Sequence, residues 1–167
     1  MSVGRSPKRR LPRLGVLALA GLCAYTPSED PAQLFAAGKK LMDEKRYAQA
    51  ITPLVRAFAL DPRLVPAGVA LAELQVQEER YRDAIATCQR LEAAFAAEPH
   101  RQDAERIKDR SKTAFLAGRS RRELGELAQA EQEVLRSLSL LPRNAAAKAL
   151  LGGIIAQQGR HAEAVKH

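Results

Sequence analysis

The 167-residue chain has no tryptophan, only 4% aromatic residues and just two cysteines. Runs of Val, Ile and Thr of the kind strands need are missing, which argues against a sheet. No apolar run is long enough to span a bilayer as a helix. One cysteine, Cys23, lies in the N-terminal segment, so Cys88 stands alone in the folded body and no internal disulfide holds it. The histidines are His100, His161 and His167, and none has a Cys or second His at metal-ligand spacing. Gly152-Gly153 lacks the Lys and Ser that follow in a phosphate loop. Carboxylate pairs such as Asp43-Glu44 and Glu78-Glu79 fall at expected helix ends or turns, where solvation is the default. No catalytic residue, metal site or cofactor is therefore expected. What is present favours helix: Ala, Leu, Arg, Glu and Gln dominate. With 46% hydrophobic and 28% charged residues, the reading is an all-α folded body.

The net charge of +8 suggests a nucleic-acid ligand, but its placement argues otherwise. Arg5, Lys8, Arg9, Arg10 and Arg13 precede residue 24 with no acid among them. Removing these five from the 27 basic residues leaves 22 against 19 acidic ones, an excess of +3. That is an ordinary surface, not a phosphate-binding one, and no nucleic-acid partner is expected.

The same segment reads as an address. The basic stretch 5–13 is followed by the apolar residues Leu14 to Ala24 and then by the turn-prone Thr26-Pro27-Ser28-Glu29-Asp30-Pro31. Charged, short apolar and small-residue regions in that order match a secretory signal over 1–24, with a linker over 25–30. Ala18-Leu19-Ala20 offers a cleavage site. Cys23 is a candidate lipidation site, although Leu22 stands where lipoprotein signals have a small residue. The expected location is a bacterial periplasm or envelope, with contact to membrane only through such an anchor. A buried N-terminal helix of a cytoplasmic protein is the alternative.

Internal periodicity organises the rest. Tyr47, Ala50 and Ile51 recur as Tyr81, Ala84 and Ile85 after 34 residues, and Gly125 and Ala130 recur as Gly159 and Ala164. Gly38 and Ala72, then Gly118 and Gly152, keep the same step. Small residues at these places let the first helix of a pair approach the second, and Ala50, Ala84, Ala130 and Ala164 do so from the other side. Leu41, Tyr47, Ile51 and Leu54, then Leu71, Tyr81, Ile85 and Cys88, fill the space between. Each pair leaves an apolar face uncovered, so units must stack.

On these residues the sequence resembles the tetratricopeptide repeat family of 34-residue helix–turn–helix units. Unit one (31–64) carries Gly38, Tyr47, Ala50, Ala57 and Pro62; unit two (65–98) carries Ala72, Tyr81 and Ala84. Unit three (111–144) carries Gly118, Leu127, Ala130, Ser137 and Pro142, and unit four begins at 145 with Gly152, His161 and Ala164. A 12-residue insertion spans 99–110 and is expected to lengthen the next helix to about 101–124. The resemblance implies an α-solenoid, a right-handed superhelical array of antiparallel helix pairs over 31–167 whose last unit, 145–167, is incomplete. Polar Gln75 and Arg121 stand where the family buries a large apolar residue, which suggests rotated helices or partly wet positions.

The resemblance also implies a site. First helices line a concave groove, and the corresponding residues are Phe35, Lys39 and Met42 in unit one, Val69 and Glu73 in unit two, and Lys112, Phe115, Arg119 and Arg122 in unit three. Phe35 and Phe115 are apolar anchors among charges, and aromatic and Arg residues are common hot-spot types. Some relatives grip a C-terminal carboxylate at positions that here hold Phe35, Lys39, Ala70, Lys112 and Leu116, of which only Lys112 fits. The stretch 101–122 has an excess of five positive charges, suited to an acidic peptide or an anionic polymer, or simply to a solvated helix face. The function implied is a non-catalytic scaffold that binds another protein or peptide. An exposed apolar edge near Leu151, Ile154, Ile155 and Val165 is expected to support self-association through 145–167, or joining to a larger enzyme or assembly machine.

Overall fold

The computed structural model describes residues 30–164. The expected signal segment with Cys23, nearly all of the linker, and residues 165–167 with Val165 lie outside the described residues. Among the described residues the chain is all helix: α1 (Pro31–Asp43), α2 (Tyr47–Leu60), α3 (Val65–Gln77), α4 (Tyr81–Ala96), α5 (Ala104–Glu123), α6 (Leu127–Leu140), α7 (Ala145–Gln157) and α8 (His161–Ala164). Each helix packs on the next. Three starts, those of α1, α5 and α7, are set by side chains that accept orphan amides: Asp30 from Ala32 at 2.9 Å, Asp103 from Arg106 at 2.9 Å and Asn144 from Ala147 at 3.1 Å.

One device ends every first helix. Lys45, Glu79, Gly125 and Gly159 take φ values of 60°, 59°, 77° and 80°. In each case this amide and the next reach back into the helix. The Lys45 N–H donates to the Met42 carbonyl and the Arg46 N–H to that of Leu41, both at 2.9 Å; Gly125 and Glu126 do the same to Arg122 and Arg121. This double closure satisfies carbonyls the helix leaves free and reverses the chain. Glycine reaches that conformation freely, whereas Lys45 and Glu79 are held there at a cost of about 1–2 kcal/mol each.

The pairs close on small residues. A Cβ built at Gly38 would stand 2.7 Å from Leu54 Cγ, and one at Gly118 would stand 2.6 Å from Val134 Cγ2 and 3.1 Å from the Ala130 carbonyl oxygen. Gly68, which the repeat comparison did not single out, is equally tight: its Cβ would lie 2.7 Å from both Leu91 and Phe58. Ala50, Ala84 and Ala130 are fully buried opposite. Around these crossings run three apolar clusters. The first joins α1–α4 through Leu54, Phe58, Leu74 and Leu91. The second links α3, α4 and α5 through Val76, Cys88 and Leu116. The third joins α6 and α7.

That third cluster corrects one expectation. Leu151, Ile154 and Ile155 form no exposed edge; each is at most 1% exposed. The helix turns them onto Ala130 and Val134 of α6, with Leu127, Leu138 and Ala164 around them. The outward positions of α7 hold Ala145, Ala146, Lys148 and Ala149 instead.

Polar residues inside the array are paired across helices. Gln75 is neither rotated out nor wet: it is buried and accepts from the Thr87 hydroxyl at 2.7 Å. Arg121 is half-buried and pairs with Glu126 at 2.6 Å. Ser111 and Ser137 each donate to the other's backbone carbonyl, at 3.0 and 2.8 Å, locking α5 to α6 without exposing either hydroxyl.

The crossings give opposite signs for two chemically identical changes. Gly118→Ala gains about 1 kcal/mol of helix propensity but meets Val134 and the Ala130 backbone, and overpacking of that kind costs about 1–3 kcal/mol. Gly153→Ala meets only the end of the Arg122 side chain at 3.7 Å. Thermal unfolding followed by circular dichroism is expected to show Gly118→Ala less stable and Gly153→Ala more stable than wild type. A stabilised Gly118→Ala would contradict the crossing geometry.

Candidate functional site

The first helices α3, α5 and α7 pack side by side, so residues on their shared outer face form one wall. On α5, Lys112, Phe115, Arg119 and Arg122 recur at intervals of three, four and three, which puts them on a single stripe. On α1, Phe35, Lys39 and Met42 do the same.

The side chains on these stripes differ in what they are free to do. Lys39 and Arg119 are exposed, with no ion-pair partner among the described residues. Phe35 and Met42 are half-buried against the first cluster. Phe115 is half-buried against both the second and the third, so it holds the wall together while showing part of its ring. Val69 is 5% exposed and belongs to the first cluster, so it supports the wall from behind and does not line it. Lys112 is already engaged: its Nζ lies 2.7 Å from Glu73 across the α3–α5 joint. Arg122 pairs with Glu123 at 3.3 Å. These exposed pairs each contribute about 0.2–1 kcal/mol at most, so an incoming charged group competes with them on nearly even terms.

The carboxylate-gripping arrangement does not assemble. Leu116 is buried, and Lys112 is held by Glu73. The basic stretch 101–122 divides between two faces of α5. Lys112, Arg119 and Arg122 lie on the wall, while Arg106 turns toward α4 and stacks over the Phe95 ring at 4.6 Å. Helical periodicity in the sequence carries that division, which a count of charges along the stretch conceals.

Cys88 faces inward and is buried, and burial is the main reason its thiol is pushed up to about 12, with the nearby carboxylates of Glu133 and Glu92 adding to it. A thiol held neutral at pH 7 is a core residue, not a nucleophile. Among the described residues no group of three or more His, Cys, Asp and Glu is placed to hold a metal ion. No described helix is long and apolar enough to cross a membrane. The wall offers contact and charge.

A tetratricopeptide repeat family profile matches residues 41–106, from the last turn of α1 into α5. The fold aligns with MamA from Desulfovibrio magneticus RS-1 at a TM-score of 0.69 and 19% identity, covering 83% of this chain and 71% of that one. It also aligns with the first tetratricopeptide repeat domain of Spaghetti (RPAP3) bound to the HSP90 peptide SRMEEVD, at a TM-score of 0.66 and 20% identity, over 78% of this chain and 94% of that one. The first such domain of human RPAP3 gives a TM-score of 0.63 at 20% identity, over 80% and 95% of the two chains.

Residues 41–106 match the tetratricopeptide repeat family, and the chain has the fold of such helical arrays.

No curated protein sequence matches it. Within the repeat frame, Gln75 and Arg121 keep the family's inward position with polar side chains, made possible by Thr87 and Glu126.

The thiol gives a direct check on the packing. In a Cys23→Ser variant, iodoacetamide at pH 8 is expected to leave Cys88 unlabelled in the native protein and to label it on unfolding. Because deprotonation favours the unfolded chain, Cys88 lowers stability as pH rises past the ordinary thiol value of 9.0 toward about 12. Rapid native labelling would show that the α4–α5 joint is open.

Proposed function

We propose that this chain is a non-catalytic scaffold that binds another protein or peptide along the first-helix wall. The observation that carries the reading is the α5 stripe: an exposed, unpaired Arg119 beside a half-exposed Phe115. Arg and aromatic side chains are enriched among the residues that contribute most when an interface closes. Phe35 and Lys39 repeat that pairing on α1. The HSP90 peptide bound to the Spaghetti domain supports a peptide as the ligand class, since that domain shares this fold. Here the ligand is held by Lys39, Arg119 and the two phenylalanines, because the carboxylate-gripping set is incomplete.

The test is affinity capture with the full chain, with bound proteins identified by mass spectrometry. Lys39→Glu and Arg119→Glu are expected to reduce the captured partner to a tenth or less of wild type. Arg143→Glu, in the α6–α7 turn, is expected to leave it unchanged. Equal capture by all three variants would remove the wall as the site.

The scaffold reading includes export to a bacterial envelope, supported by the basic and apolar order of residues 5–24. Intact-mass measurement of the protein purified from its source cells is expected to show loss of the first 20 or so residues, or a diacylglycerol-modified Cys23 at the new N-terminus. A mature chain that retains residues 5–24 unmodified would exclude both routes.

A further inference from the structure

We infer that the insertion builds a second site, a cavity that takes the carboxylate of an acidic side chain from a docking polypeptide. The cavity measures about 200 Å³ and lies between the end of α4, the loop 97–103 and the first two turns of α5. It forms where the insertion extends the Pro-containing turn Glu98–Arg101, the counterpart of Asp61–Leu64 between α2 and α3, into a longer loop.

Among the lining residues, Glu92 Oε1 and Arg110 Nε are buried without a partner, and the only donor of the two belongs to Arg110. It lines the cavity, its Nε is buried, and that N–H has no acceptor. No ion pair to it exists among the described residues. A buried guanidinium donor without a partner is costly, and such groups normally mark an acceptor that belongs there. Its neighbours are already fixed. Arg106 is 5% exposed, stacks on Phe95 and donates to the Ala94 carbonyl at 3.0 Å. Arg101, at the mouth, is held by Asp103 at 2.9 Å. Glu98 lies 3.5 Å from Arg106 and 3.8 Å from Arg101, so those two cations are already countered, and of the three lining arginines Arg110 keeps the buried donor without an acceptor.

Size and charge select the ligand. Whole small molecules occupy cavities of about 300–1,000 Å³, so this one admits a side chain. The guanidinium fork matches planar oxyanions. Glu92 and Glu98 also line the cavity, and they repel a doubly charged phosphate more than a singly charged carboxylate. Phe95, Ala96 and Pro99 supply an apolar side for the methylenes that precede the carboxylate. Arg106 and Arg110 lie one turn apart on the face of α5 toward α4, while Lys112 on the wall face reaches Glu73 of α3. The cavity is therefore separate from the wall and does not depend on its function.

The experiment follows arginine Nε–Hε signals by NMR in the full chain, titrated with N-acetylglutamate amide. A saturable shift of the Arg110 and Arg106 signals is expected, at least tenfold weaker with N-acetylglutamine amide and in Arg110→Gln. Arg119→Glu is expected to leave the titration unchanged, which separates this site from the wall. If Arg110→Gln loses its native spectrum, Arg101→Gln serves instead, with an affinity loss of threefold or more expected. An absent or non-saturating shift, an equal response to the neutral amide, or stronger competition by inorganic phosphate would each overturn the proposal.

Discussion

Paired helices here touch backbone to side chain without a Cβ between them, and everything else depends on that contact. Leu54 fills the space a side chain at Gly38 would need, Val134 fills that at Gly118, and Phe58 and Leu91 converge on Gly68. Close packing of this kind strengthens dispersion and excludes water from both helices, but only at one relative height and angle. Once the crossing is fixed, the outward stripe of each first helix is fixed as well. Phe115 can then rest on two clusters and still show part of its ring, and Arg119 emerges beside it.

The fold was largely legible because it repeats. Recurrence of Tyr47 and Ala50 at Tyr81 and Ala84 marks the same helix face twice, and the left-handed turns at Lys45, Glu79, Gly125 and Gly159 keep the same frame. Single positions without a counterpart were not legible. Gly68 matters because two large residues from different helices meet there, and nothing local to Gly68 announces them. The fourth unit misled for a related reason: Leu151, Ile154 and Ile155 look like an unfinished face in sequence, but a helix with apolar residues on several sides buries the side that meets α6 first. Of the wall residues, Val69 was misplaced because an apolar residue on a first helix is drawn into the core whenever the neighbouring pair leaves room.

Charge was the least legible property. Eight basic residues between 101 and 122 read as one patch along the chain, yet a helix distributes them by 100° per residue. Arg106 goes to a ring and a backbone carbonyl, Arg121 to Glu126, and Lys112 to Glu73. A second arginine follows the same rule: Arg90 stacks over Phe58 at 4.8 Å and donates to the Phe58 carbonyl. In both cases the guanidinium seals an aromatic at the edge of the array and also satisfies a backbone acceptor, a role that Lys, without a planar face, does not fill.

The insertion shows how a repeat array tolerates an irregularity. Positions of the left-handed turns step by 34 residues within each half and by 46 across the insertion, so all 12 extra residues are absorbed at the α4–α5 joint. That joint keeps a Pro-containing turn at Glu98–Arg101, as the others do at Asp61–Leu64 and Leu141–Asn144, and adds side-chain ties. Arg106 holds α5 to the end of α4, and an ion pair between Glu92 and Arg136 ties α4 to α6. Because the ties lie on the second-helix side, the first-helix side needs none of its own beyond Lys112–Glu73, and α5 continues the wall from α3. An extra segment inserted at any left-handed turn would instead shift one helix of a pair against its partner and break a crossing. At the α4–α5 joint added residues leave the contacts of Gly38, Gly68 and Gly118 intact, and there the chain uses them to open a cavity.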